Sequence, residues 1–268
     1  MTRAFFNGQP AAAAELQPLA LANYGHFTSM QVRARAVRGL DLHLQRLKAG
    51  TRELFDSPLE EARIRIAILA ALDADGVDDA SVRVTVFSRA FDYTRPDAVV
   101  PVDVLVSLTA PREADPKPAW VKTYPFQRPL PQLKHVGTFP LFQSRRQARR
   151  DGFDDALFVD PKGRISEGSV WNIGFWDGTQ VIWPQAEALR GTEERLLQLG
   201  LAEIGVTQRH TPVEARALGG LRAAFAANAT GIWPIAGIDD LALRPDPALM
   251  ERLAAARATQ PWQPLGPG

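Results

Sequence analysis

The chain has 268 residues, 46% apolar and 23% charged, with a net charge of +1 and no cysteine. That composition suits a globular chain of one large or two smaller domains. It excludes disulfides, thiolate metal sites and thiol nucleophiles, and so small a net charge argues against a generic nucleic-acid binder. No apolar run approaches the roughly 18 residues of a membrane span, and the N-terminus lacks the apolar core of a signal peptide. The expectation is a cytoplasmic protein with no membrane or nucleic-acid partner. His26, His43, His135 and His210 show no zinc-ligand spacing, so no metal is expected.

In chain order, residues 3–7 read as a short strand ending in the turn dipeptide Asn7-Gly8. Residues 27–32 alternate like a strand that returns from Ala36. Leu40, Leu44, Leu47 and Leu54 share one face of a helix over 40–55, and a second amphipathic helix covers 60–72. Val82, Val84 and Val86 mark a period-two strand over 81–88, and another spans 100–108. Residues 111–118, with three prolines and four charges, read as a linker. The expected organisation is therefore a small α/β domain (1–110), the linker (111–118) and a large domain (119–268).

In the large domain an extended stretch runs to Tyr124, and a loop carries Lys134. A helix covers about 140–150, with Arg145, Arg146, Arg149 and Arg150 as a solvated basic face. Strands follow at 155–159 and 170–176, with Glu167 in the turn between them. Asp177-Gly178 turns the chain back along 180–183, and Thr192 begins a helix to about Ile204. Strands at 223–227 and 232–238 precede a helix over 248–256, entered through Asp246-Pro247. The Pro/Gly-rich residues 260–268 read as a loosely ordered tail.

Lys134 is the candidate nucleophile. Leu133, Val136 and Gly137 give it a small and apolar setting ahead of a helix, and an ε-amine can condense with an aldehyde and then serve as a base. Downstream stands Gly163-Arg164-Ile165-Ser166-Glu167, with Asn172 five residues after the glutamate. Taken singly, each of these residues has an ordinary structural reading.

Together the lysine, the apolar strand and the Glu-x4-Asn phrase resemble the class IV aminotransferase family. Its members have the fold-type-IV, D-amino-acid aminotransferase-like architecture, a two-domain α+β or α/β fold, and use pyridoxal 5′-phosphate. The resemblance runs from about Phe5 to Ile238. It implies that Lys134 is the Schiff-base lysine and that Glu167 partners the pyridine nitrogen. Asn172 would hold either the Glu167 loop or the region of the cofactor hydroxyl. Arg46, in His43-Leu44-Gln45-Arg46, would meet the phosphate, as would Gly191 and Thr192 at a helix start, with Asn228-Ala229 as a second phosphate loop. Glu193 and Glu194 depart from the family pattern, and they would repel a phosphate if they pointed at it.

On the substrate side the resemblance implies Tyr24 and Thr28, from Tyr24-Gly25-His26-Phe27-Thr28, together with His135 and Arg89. For Arg89 a solvated strand-end arginine is the equal alternative. It further implies a homodimer acting on an amine or amino-acid-like small molecule. The pairs Lys134-His135, Phe27-Thr28 and Asn228-Ala229 resemble aminodeoxychorismate lyase, which expels pyruvate from 4-amino-4-deoxychorismate. The alternatives are a branched-chain or D-amino-acid aminotransferase, or a non-catalytic relative of the fold.

Overall fold

The structure, a computed structural model, describes residues 2–266. It begins with β1 (Arg3–Phe6), β2 (Gln9–Pro10), α1 (Ala13–Ala22), β3 (Gly25–Arg33), β4 (Ala36–Arg38), α2 (Leu40–Phe55), α3 (Glu61–Asp75), β5 (Ala80–Phe87) and β6 (Asp103–Thr109). Then come β7 (Ala119–Pro125), α4 (Phe139–Arg150), β8 (Asp155–Val159), β9 (Ile165–Gly168), β10 (Asn172–Trp176), β11 (Val181–Pro184), α5 (Thr192–Glu203) and β12 (Gln208–Thr211). The last elements are a short 3₁₀ turn, β13 (Ala223–Asn228), β14 (Gly231–Ile238), β15 (Leu241–Ala242), α6 (Pro247–Thr259) and β16 (Trp262–Pro264).

Backbone contacts divide the chain into two compact units. The first holds residues 2–112, 133–137 and 261–266; the second holds 113–132 and 138–260. A single cut at 111–118 would have put Lys134 and the C-terminal tail in the second unit. Hydrogen bonds explain the reassignment. Phe27 N–H donates to the Lys134 carbonyl at 2.8 Å, and Val136 N–H donates to the Gly25 carbonyl at 2.9 Å. The tail, expected to be loose, forms β16 against β4 and buries Leu265. Pro267 and Gly268 lie outside the described residues.

The first unit is a seven-stranded sheet in the order β16-β4-β3-β5-β6-β1-β2. Val82, Val84 and Val86 of β5 alternate into its core, meeting Leu40, Leu44 and Leu47 of α2 and Ile64, Ile68 and Leu72 of α3. Burial of these branched side chains supplies the driving force, at about 25 cal/mol per Å².

The second unit is built on a nine-stranded sheet in the order β12-β11-β10-β13-β14-β7-β8-β9, with β15 on β14. Its two faces carry separate cores, and β13 shows the alternation between them. Ala224 and Ala226 join Trp171, Ile173 and Phe175 on one face. Ala223, Phe225 and Ala227 join Trp183, Leu197 of α5 and Leu253 of α6 on the other. Strands β7 and β8 run parallel and need a crossover, which α4 provides by packing Leu141 and Ala148 on Ala156 and Phe158. Glu167, read as a turn residue in the sequence, lies inside β9, which pairs with β8.

Candidate active site

In the first unit the candidates gather around one histidine. His43, Arg46 and Gly50 lie at positions i, i+3 and i+7 of α2 and so share a face. His43 is buried, and its Nδ1 shares a 2.6 Å hydrogen bond with the Thr28 hydroxyl of β3. Burial pushes the imidazole down to about 3, and the charges of Arg46 and Lys134 push the same way. The Lys134 amine stands 5.0 Å from the centroid of the Phe27 ring, within cation–π range. Thus Thr28 meets His43 directly, Arg46 shares its helix face, and the Lys134 amine lies over the Phe27 ring one residue from Thr28.

The other first-unit candidates are held differently. His135 forms a main-chain bridge with His26. Tyr24 stacks on Phe91 at 4.2 Å and donates its hydroxyl to the Leu54 carbonyl at 3.2 Å. Arg89 donates to Asp103 through Nε at 3.1 Å and Nη2 at 3.4 Å, and lies over the Phe6 ring. This is the strand-end arrangement, with the guanidinium half exposed.

In the second unit the centre is Glu167, a buried carboxylate. Arg128, also buried, forks onto it: Nε donates to Oε1 at 2.9 Å and Nη2 to Oε2 at 3.3 Å. Leu189 N–H also donates to Oε1, at 3.3 Å. Asn172 holds the same loop from β10. Its Nδ2 donates to the Leu189 carbonyl at 2.7 Å, and its Oδ1 accepts Gly191 N–H at 3.1 Å. Asn172 thus steadies the loop that enters α5, a contact distinct from both roles its sequence setting implied. A side chain at Gly191 would put Cβ 2.2 Å from Asn172 Oδ1, so only glycine allows the clamp.

Helix α5 starts at Thr192 with no side-chain cap. The Thr192 hydroxyl is buried without a hydrogen-bond partner, which is costly unless something else supplies one. An uncapped helix start beside an orphaned hydroxyl fits an anion such as a phosphate. Of the acids that follow, Glu193 accepts from Arg257 at 2.6 Å and Glu194 Oε1 accepts from Arg190 at 3.1 Å, while Glu194 Oε2 is buried without a hydrogen-bond partner. Burial raises the Glu194 carboxyl above the usual range, against the pull of Arg190. Asn228 sits one residue beyond Ala227, the cross-strand partner of Asn172. Its Oδ1 accepts from Thr230 N–H at 2.8 Å and from the Thr230 hydroxyl at 2.7 Å, and Ala229 is the turn residue between them. Asn228 also lines a cavity of about 250 Å³ with Trp171, Trp233 and Arg149.

Two residues escaped the sequence reading. Arg128 lies in a proline-flanked loop, 39 residues from its partner, and carries no local signal. His43 does have one: three residues before Arg46 is the spacing of a shared helix face.

The sequence profile of the family described as amino-transferase class IV matches residues 25–238. No curated protein sequence gives a significant match. Among solved structures, the chain resembles the norvaline-bound branched-chain aminotransferase of Thermoproteus uzoniensis. That match has a TM-score of 0.85 at 17% identity and covers 95% of this chain and 93% of the other. A Mycobacterium tuberculosis protein described as a hypothetical aminotransferase, in its PLP-bound form, gives 0.78 at 17% identity, covering 96% of this chain and 98% of the other. A Legionella pneumophila protein provisionally assigned as a 4-amino-4-deoxychorismate lyase gives 0.77 at 17% identity, covering 88% of this chain and 91% of the other.

Proposed function

The chain belongs to the class IV amino-transferase family, and on that premise we propose that it works with pyridoxal 5′-phosphate carried on Lys134. The observation that carries the reading is the orphaned Thr192 hydroxyl at the uncapped start of α5, beside the loop that Glu167 and Asn172 hold. Bound there, the cofactor would supply an electron sink for the carbon beside the substrate nitrogen.

The chain's own residues do the rest. In the second unit Thr192, with the Gly191 turn, would donate to the phosphate; for Arg46, in the first unit, a phosphate contact is what the family resemblance implies. Glu167 serves the ring nitrogen, with Asn172 bracing the loop beside it. Lys134 would hold and move the proton at the substrate carbon. Arg257 and Arg190 offset the charges of Glu193 and Glu194 in this reading. A non-catalytic relative would need those acids turned on the phosphate.

For the reaction, we favour loss of pyruvate from 4-amino-4-deoxychorismate to leave 4-aminobenzoate. Lys134-His135, Phe27-Thr28 and Asn228-Ala229 support it. Transamination of a branched-chain or D-amino acid is the second reading, favoured by the higher TM-score of the Thermoproteus uzoniensis enzyme. Working from a homodimer in the cytoplasm is part of the same proposal.

One experiment separates the outcomes. The purified protein should absorb in the violet when loaded with pyridoxal phosphate, and should release pyruvate from 4-amino-4-deoxychorismate with no acceptor present. Bleaching by an L- or D-amino acid alone, without pyruvate release, would establish the aminotransferase reading. No violet absorbance and no labelled lysine after borohydride would remove both.

A further inference from the structure

We propose that Arg128 is a positioning residue that locks the Glu167 carboxylate and leaves Oε2 as the oxygen that serves the cofactor's ring nitrogen. The inference rests on the reading of Glu167 as the ring partner.

The hydrogen-bond inventory carries it. Each carboxylate oxygen offers two lone pairs. Oε1 is filled, by Arg128 Nε at 2.9 Å and Leu189 N–H at 3.3 Å. Oε2 takes only Arg128 Nη2, at 3.3 Å, and keeps one acceptor position. The two-point fork fixes the plane of the carboxylate, so that position has a set direction. Arginine alone suits this task, since its guanidinium is planar and always charged. Lysine would neutralise the acid without fixing its plane.

Charge gives the second argument. The side chains of Glu167 and Arg128 are 5% and 4% exposed, so each is the other's means of carrying charge into the core. A carboxylate must be ionised to accept from a protonated ring. Without Arg128 the proton shared by Glu167 and the ring nitrogen moves towards the carboxylate, because the anionic form has lost its countercharge. The ring then loses the charge that makes it an electron sink.

The test uses the holoenzyme loaded with pyridoxal phosphate isotope-labelled at the ring nitrogen, whose magnetic-resonance shift reports ring protonation. Wild type should give the protonated-ring signal. Glu167→Gln and Arg128→Met should both move it towards the neutral ring. Turnover in Arg128→Met should fall about tenfold or more while KM moves less than about threefold. Arg128→Lys should lie between, and it decides the matter if Arg128→Met does not fold. If Glu167→Gln moves the ring signal but neither Arg128 variant does, Arg128 only fills the core and the inference is wrong. If Glu167→Gln leaves the signal unmoved, the reading of Glu167 itself fails, and the inference with it.

Discussion

Two clusters of buried polar groups sit in this chain, and opposite devices keep them stable. In the first unit His26 and His43 are buried as neutral rings, each against a hydroxyl: His26 Nε2 on Thr51 at 3.0 Å and His43 Nδ1 on Thr28 at 2.6 Å. In the second unit the buried groups are formal carboxylates, each held by an arginine: Glu167 by Arg128, Glu193 by Arg257, Glu194 by Arg190. A neutral ring loses far less solvation on burial than an ion, so one hydrogen bond per ring keeps it in the core even with His26 Nδ1 left without a partner. A buried carboxylate loses a great deal and needs a countercharge with good geometry. The first cluster can therefore hold two cations, Lys134 and Arg46, without adding a third. The second can hold acids beside a proposed phosphate site because each has an arginine countercharge.

The largest expected effect tests what the first cluster presents. Lys134→Ala should reduce turnover about a thousandfold or more, since one side chain supplies both the cofactor attachment and the proton transfer. Borohydride reduction of the loaded wild-type protein, followed by peptide mapping, should place the pyridoxyl mass on Lys134. The mass on Lys122 or Lys162 instead would break the assignment.

Next comes a direct contrast of the two devices. Glu167→Gln leaves the Arg128 charge buried and unpaired, and should cost about 3–5 kcal/mol in urea unfolding. Thr28→Val removes only a hydroxyl from a neutral ring, and should cost about 1 kcal/mol. Equal costs would show that the clusters are not built on different principles.

Arg46→Ala should weaken cofactor binding by roughly ten- to a hundredfold, the worth of one charge-assisted contact of about 1.5–3 kcal/mol. A fluorescence titration measures it, and unchanged affinity would make Arg46 an ordinary helix residue. Gly50→Ala sharpens the packing side of the comparison. Its Cβ would meet the His26 ring at 2.7 Å, and Thr51 holds that ring in place. Overpacking of this kind costs about 1–3 kcal/mol, and a melting temperature equal to wild type would show that the ring can yield.

The last test is a pH dependence. Burial lowers His26 to about 4 and His43 to about 3, both below the ordinary 6.5. The unfolded chain therefore binds protons that the folded chain refuses. Stability is fully present above pH 6.5 and is lost as pH falls from there through 4 and then 3, on the order of 1 kcal/mol per histidine per pH unit. Urea unfolding at pH 7 and pH 5 should show the loss, and His26→Gln should reduce it. A slope unchanged by that substitution would assign the loss to other groups.

The sequence by itself determined the elements whose periodicity is strong and whose partners are close. The leucine spacing of α2 placed that helix at its observed bounds, and the valines of β5 placed that strand within a residue. It also determined the order of the chemical groups, from Lys134 through Glu167 to Asn172, which carries the family resemblance. Elements without a local signature were decided by tertiary contacts. Helix α1 contains Pro18 and buries no residue, β9 is four residues long with an acid inside it, and β16 lies in a stretch that composition marks as a tail. Each exists because a neighbouring strand or core supplies the hydrogen bonds or burial that its own sequence does not advertise. The membership of Lys134 in the first unit follows from two backbone hydrogen bonds to β3, and the Arg128 fork on Glu167 closes over 39 residues. Pairings at that separation are set by where the fold brings two segments, and side-chain period, composition and turn chemistry are all local quantities that do not encode it.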